Sequence, residues 1–166
     1  AGYTAVLMQG SGTFSVESVI TSAVSSEGKL LVIANGAYGQ RIAEIASRAQ
    51  LPFTILDSGE LNPPDLSEVE KTLAEDQAIT HVAVVHCETT TGMLNPIEEI
   101  GKLADRFNKI YIVDAMSSFG GIPIDLEKTG VHFLVSSANK CIQGVPGFGF
   151  VIAVREEIDK LEGRSR

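Results

Sequence analysis

Short apolar runs that stop at a turn and give way to a helical pattern recur along this chain, and that alternation constrains its fold more than any other feature. Val6-Leu7-Met8, Leu30-Leu31-Val32-Ile33-Ala34, Phe53-Thr54-Ile55-Leu56 and His81-Val82-Ala83-Val84-Val85-His86 each run into a glycine-rich or polar turn. Behind each turn apolar residues return with helical spacing: Val16, Val19, Ile20 and Ala23; then Ile42, Ile45, Ala46 and Ala49; then Leu66, Val69 and Leu73; then Ile97, Ile100, Leu103 and Ala104. Pro96 stands where a helix tolerates proline, at its first turn. Continuous apolar runs suit strands buried on both faces, and strand–helix alternation calls for a parallel sheet covered by helices. Ile110–Val113, Phe133–Val135 and Gly149–Val154 bring the predicted strands to seven. The last two are too close in sequence for a helical crossover, so the seventh is predicted antiparallel to an otherwise parallel sheet. The expected fold is therefore α/β, a three-layer sandwich around a mostly parallel seven-stranded sheet, forming one domain over residues 1–166.

Composition narrows the function. At 166 residues and 44% hydrophobic content the chain can bury a substantial core. A formal net charge of -8 leaves no basic surface to neutralise phosphates, which argues against nucleic-acid binding. No apolar run reaches the length of a membrane span, and no basic region precedes an apolar one at the N-terminus, so a cytoplasmic protein is expected, with no membrane partner. Cys87 and Cys141 are the only cysteines, too few for a disulfide framework. His86-Cys87-Glu88 has the composition of a metal site, but neighbours on a strand point to opposite faces, and His81 and His132 stand alone; no metal is expected. The chain enters almost directly into an apolar run and stops after Glu162-Gly163-Arg164-Ser165-Arg166, just past a helical turn. A piece of a longer protein is expected.

Chemistry-bearing residues gather where the strands end. Gln9-Gly10-Ser11-Gly12-Thr13 lies between a strand and a helix, a layout that turns backbone amides and a helix dipole toward an anion. It matches neither a Walker loop nor a full dinucleotide fingerprint, and a plain capped turn is the alternative. Tyr38 follows the second strand, and Thr89, Thr90 and Thr91 follow the fourth. Asp114 closes the fifth as either a helix cap or a functional acid, with Gly120-Gly121 disfavouring a long helix behind it. Lys140 sits between Phe133-Leu134-Val135 and the glycine-rich Gln143–Gly149, at a sheet edge where α/β proteins place their crevice. An anion loop, an aromatic ring, hydroxyls, a carboxylate and an amine on one edge match the parts of pyridoxal 5'-phosphate. Lysine forms the Schiff base with its aldehyde, and aspartate keeps the ring nitrogen protonated.

Five blocks carry a resemblance to a known family: Gln9–Thr13; Asn35-Gly36-Ala37-Tyr38-Gly39-Gln40-Arg41; Glu88-Thr89-Thr90-Thr91-Gly92-Met93-Leu94-Asn95-Pro96; Val113-Asp114-Ala115-Met116-Ser117-Ser118-Phe119-Gly120-Gly121; and Ser136-Ser137-Ala138-Asn139-Lys140-Cys141-Ile142-Gln143-Gly144-Val145-Pro146-Gly147. Along essentially its whole length the chain resembles the class V, fold-type I pyridoxal-phosphate aminotransferases. The resemblance implies that Ser11, Gly12 and Thr13 cradle the cofactor phosphate with help from Asn139. It implies that Tyr38 stacks on one ring face and Met116 lies against the other. Thr89 is then the partner of the phenolic oxygen, Asp114 of the ring nitrogen, and Lys140 carries the imine and shuttles the proton. The last two blocks favour, within the family, transfer of the amino group of 2-aminoethylphosphonate to pyruvate, giving phosphonoacetaldehyde and alanine in phosphonate degradation. Serine- or alanine-glyoxylate transaminases, cysteine desulfurases and a catalytically inactive fragment remain alternatives. A nucleotide-binding domain is disfavoured, because the second strand ends in Asn35-Gly36 where a ribose-binding acid belongs. Family members also carry an N-terminal segment and a small C-terminal domain, the latter holding the substrate-binding arginine, and assemble with a partner subunit; a homodimer is expected. Arg41 matches a position in the turn and is not expected to replace that arginine.

Overall fold

The computed structural model describes residues 2–163. The strands are β1 (Tyr3–Gln9), β2 (Lys29–Ala34), β3 (Phe53–Asp57), β4 (Ile79–Val85), β5 (Ile110–Asp114), β6 (Phe133–Ser137) and β7 (Phe148–Val154), in the spatial order β1-β7-β6-β5-β4-β2-β3. The helices are α1 (Gly12–Ala23), α2 (Ala37–Arg48), α3 (Leu66–Glu75), α4 (Ile97–Arg106), α5 (Leu126–Thr129) and α6 (Arg155–Asp159). Pairs β3–β2, β2–β4, β4–β5 and β5–β6 are parallel, whereas β7 is antiparallel to both β6 and β1. Only β7 is therefore reversed, as the short connection from β6 requires. The four-residue α5, capped by Asp125, was not foreseen; four residues carry too little periodicity to read. Arg164, Ser165 and Arg166, placed by sequence beyond the last helical turn, lie outside the described residues.

Burial explains the three layers. Along β2, Leu30 and Val32 face one side, where Val16, Val19 and Ile20 of α1 and Ile42, Ile45 and Ala46 of α2 cover them. Leu31 and Ile33 face the other, against Val69 and Leu73 of α3 and Ile97, Ile100 and Ala104 of α4. Period-two side-chain alternation delivers apolar residues to both faces, so each needs a helical cover. The central position of β2, β4, β5 and β6 follows from their apolar content, while β1 takes an edge beside β7 and leaves Leu7 74% exposed. Among the described residues no helix is long and apolar enough to cross a membrane.

One close approach fixes the lower layer. Gly101 of α4 lies against the carbonyl of Thr129 at the end of α5 and beside the Tyr111 ring, with no room for a Cβ. Tyr111 is fully buried and its hydroxyl donates to the Ile97 carbonyl at 3.0 Å. Gly101→Ala must push α4 away from both contacts and is expected to cost about 1–3 kcal/mol of stability, read from the midpoint of urea unfolding.

Candidate active site

At the carboxyl ends of the parallel strands lies a cavity of about 210 Å³. It collects Ser11, Gly12 and Thr13 from the β1–α1 turn, Tyr38 from α2, Thr89 from beyond β4, Asp114 and Met116 from the end of β5, and Asn139 and Lys140 from the turn after β6. Of the residues placed at the strand ends from the sequence, Ser11, Gly12, Thr13, Tyr38, Thr89, Asp114, Met116, Asn139 and Lys140 are in this wall, and Thr90 and Thr91 are not. A larger hollow of about 390 Å³ between α1 and α2 is lined by solvent-facing groups such as Arg41 and Glu44, which pair at 3.5 Å. It lacks both the lysine and the aspartate, so the smaller cavity is the one with reactive groups.

The β1–α1 turn is shaped for close approach. Gly10 takes a φ of 125°, and its amide donates to the Gly147 carbonyl at 2.9 Å, tying this turn to the loop before β7. Ser11 caps α1, its hydroxyl accepting from the Phe14 amide at 3.2 Å. That leaves the first-turn amides of Gly12 and Thr13 without intrahelical acceptors at the cavity wall. Gly12 is glycine for a steric reason: a Cβ there would collide with the Met116 thioether.

Asp114 is 5% exposed, and its Oδ1 accepts from the Met116 amide at 2.9 Å. It therefore holds its own following turn rather than capping a helix. Burial pushes its carboxyl up to about 6; the Met116 amide and the Lys140 charge oppose that rise, and the Glu88 charge adds to it. The Ala115–Ile122 turn is stapled to the segment leaving β4 by consecutive serines. Ser117 donates to the Cys87 carbonyl at 2.5 Å, and the Ser118 hydroxyl lies 2.9 Å from His86 Nδ1. Burial lowers the pKa of His86. After β6, the Ser137 hydroxyl donates to Asn139 Oδ1 at 3.0 Å, and the Gly144 amide closes on the Ala138 carbonyl at 2.7 Å, which presents Lys140 on an exposed turn.

Four lining residues, Val85, Cys87, Ser117 and Ser137, lie outside the set expected from the sequence to hold the cofactor, as does the fully buried Glu88 behind the wall. Cys87 and Glu88 read from the sequence as part of a metal-like triplet. Glu88 accepts from the Gly39 amide at 2.7 Å and the Tyr38 amide at 3.2 Å. Thr90 is absent from the cavity wall, and Thr91 serves its own turn by accepting from the Met93 amide at 3.2 Å. His86, Cys87 and Glu88 serve different partners: Ser118, the cavity and α2. Both cysteines are free.

The profile of the family described as aminotransferase class-V matches residues 2–164. This chain belongs to the class-V aminotransferases. It is 62% identical over 166 residues to the 2-aminoethylphosphonate–pyruvate transaminase of Vibrio vulnificus (strain YJ016), covering 100% of this chain and 45% of that protein. It is 62% identical over 161 residues to the bifunctional phosphonoacetaldehyde hydrolase/aminoethylphosphonate transaminase of Clostridioides difficile (strain 630), covering 97% of this chain and 25% of that one. The crystal structure of ureidoglycine-glyoxylate aminotransferase from Bacillus subtilis shares the fold, with a TM-score of 0.91 over 98% of this chain and 42% of that one at 23% identity. The class-V aminotransferase chain thus spans less than half the length of these relatives.

For this class-V aminotransferase chain the buried carboxylate has a measurable consequence. The folded chain holds the Asp114 proton to a pH of about 6, higher than an unfolded aspartate does. Its contribution to stability is full below about pH 4 and is lost as the pH rises through about 6. Asp114→Asn keeps an oxygen for the Met116 amide and carries no charge. It is expected to flatten that decline and to raise stability by about 1–3 kcal/mol at neutral pH, measured by urea unfolding across the range.

Proposed function

We propose that this chain is the pyridoxal-phosphate-binding large domain of a transaminase that moves the amino group of 2-aminoethylphosphonate to pyruvate, giving phosphonoacetaldehyde and alanine. The observation that carries the reading is the convergence in one cavity of an amine, a buried carboxylate, an aromatic ring and an open helix N-terminus. The donor set fits the cofactor chemically. The uncapped amides of Gly12 and Thr13, with the Ser11 and Thr13 hydroxyls, suit a phosphate dianion. Asp114 has the burial and acidity to share a proton with a ring nitrogen, and Tyr38 and Met116 offer soft faces to a flat ring. Thr89 and Asn139 add hydrogen-bonding groups for the ring hydroxyl and the phosphate. Identity of 62% to a protein named for the phosphonate reaction supports this substrate over the glyoxylate-directed alternatives.

Pyridoxal phosphate, when bound, supplies an electron sink for the electrons released as a Cα–H bond of the amino substrate breaks. The chain's own residues do the rest. Lys140 would be the covalent anchor and, once displaced by substrate, the base whose Nζ moves the proton from the substrate carbon to the cofactor side. Asp114 holds a proton on the ring nitrogen, and the low-dielectric setting around its carboxylate strengthens that hold. Gly12 and Thr13 keep the phosphate end fixed so that the reacting carbon stays within reach of Lys140. Ile142 and Val145, exposed on the segment that follows Lys140, and Phe148 at the start of β7 are the surface through which a homodimer would close over the site. A cytoplasmic setting, compatible with two free thiols, belongs to the same reading.

Mixing the purified chain with pyridoxal phosphate should give a visible absorbance band that borohydride fixes on Lys140, located by peptide mass mapping. Lys140→Ala should lose the fixed adduct entirely. An unchanged adduct in the variant, or none in the parent chain, would overturn the assignment. Substrate choice is read by adding 2-aminoethylphosphonate, alanine or serine in turn: the phosphonate should bleach the band with the greatest efficiency.

A further inference from the structure

Glu88 is fully buried, yet nothing in the proposed chemistry uses it. Its carboxylate reaches across from the segment after β4 to the start of α2, where the helix has no cap of its own: Gly36 stands at the cap position and has no side chain to offer. The amides of the second and third helical residues, Tyr38 and Gly39, are the ones a cap must satisfy. Glu88 takes one with each oxygen, Oε2 from Tyr38 at 3.2 Å and Oε1 from Gly39 at 2.7 Å.

The turn is built around that carboxylate. A Cβ at Gly36 would lie 2.7 Å from Glu88 Cδ, and one at Gly39 would lie 2.8 Å from the Ala34 Cα and 3.4 Å from Glu88 Oε1. Gly36 has an extended backbone that any residue adopts, so glycine is there for space and not for conformation. Glu88 is itself held: its amide donates to the Met93 carbonyl at 3.0 Å, and its carbonyl accepts from Gly92 at 2.7 Å. Its neighbour Thr89 is in the cavity wall, as is Tyr38.

We propose that Glu88 is a positioning residue that fixes Tyr38 against the bound ring by serving as the missing cap of α2. Resting on the cofactor reading above, this assigns the stacking geometry of Tyr38 to a charged residue on a different strand's loop. A carboxylate at a helix N-terminus also gains from the helix dipole, which offsets the cost of burying it.

The test is a double-mutant cycle on pyridoxal-phosphate affinity, with binding followed by the absorbance band and folding checked by circular dichroism. Glu88→Gln keeps the shape but turns an amide donor toward the Tyr38 amide, and it should weaken binding by about tenfold. Tyr38→Ala removes the stacking face. If Glu88 acts through Tyr38, the double variant binds no more weakly than Tyr38→Ala alone. Losses that multiply, or unchanged affinity in Glu88→Gln, overturn the inference. Hydrogen exchange at the Tyr38 and Gly39 amides of the parent chain provides a measurement that needs no variant: both should exchange slowly without cofactor, and fast exchange at both would sink the cap even if Glu88→Gln did not fold. Failure of the parent chain to bind pyridoxal phosphate removes the cofactor reading and this inference with it, and is seen before any Glu88 variant is made.

Discussion

The backbone register of the parallel strands is the constraint on which the candidate site depends. Val85 pairs with Asp114, and Asp114 with Val135, so β4, β5 and β6 run out of ladder at nearly the same level. Ala34 at the end of β2 pairs with Asp57 at the end of β3 in the same way. Each chain leaves the sheet on the same edge, and whatever side chains come next share a single crevice. A shift of one residue in any of these pairings would turn the end-residue side chain to the opposite face.

Beyond that edge, side chains take over the work of the ladder. Asn35 and Asn95 exchange hydrogen bonds at 2.7 and 2.9 Å while Asn95 also donates to the Val85 carbonyl at 2.8 Å, locking the turn after β2 to the segment after β4. Glu88 ties the same two segments through α2, and His86 with Ser118 joins β4 to the turn after β5. Buried polar groups are costly unless satisfied, and among the described residues no buried side-chain nitrogen or oxygen lacks a partner. The result is a rigid rim around Asp114, whose own carboxyl is left close to the point of ionisation. A firmly held rim around a buried carboxylate is what the proposed cofactor site would need to position a flat ring.

Much of this was legible in the sequence because its signals are local. Leu30–Ala34 reads as a doubly buried strand from apolar content alone, and the reversed β7 follows from the length of one connection. Lys140 and Asp114 stand out because strand ends with a charged residue are uncommon in apolar runs. Glu88 stood out only as part of the metal-like triplet His86-Cys87-Glu88, not as a helix cap. In the row Glu88-Thr89-Thr90-Thr91 it looks like one more polar loop residue, and its partners, the amides of Tyr38 and Gly39, are about fifty positions away and carry no side-chain signature. Cys87, Ser117 and Ser137 escaped for a similar reason: each is polar or small, and only the packed rim turns it inward. The edge position of β1 was also illegible, since its first connection crosses nearly the whole sheet to reach β2.

By itself the sequence determined the fold class, the direction of every strand and which strand ends carry the chemistry-bearing residues, since periodicity, turn chemistry and connection length are properties of neighbours along the chain. Tertiary structure alone decided the order of strands, the burial that lifts the Asp114 carboxyl, and the reach of Glu88 to a helix that lacks its own cap. Those depend on contacts between segments far apart in sequence, where the free energy of burying charge and closing hydrogen bonds is settled by geometry and not by composition.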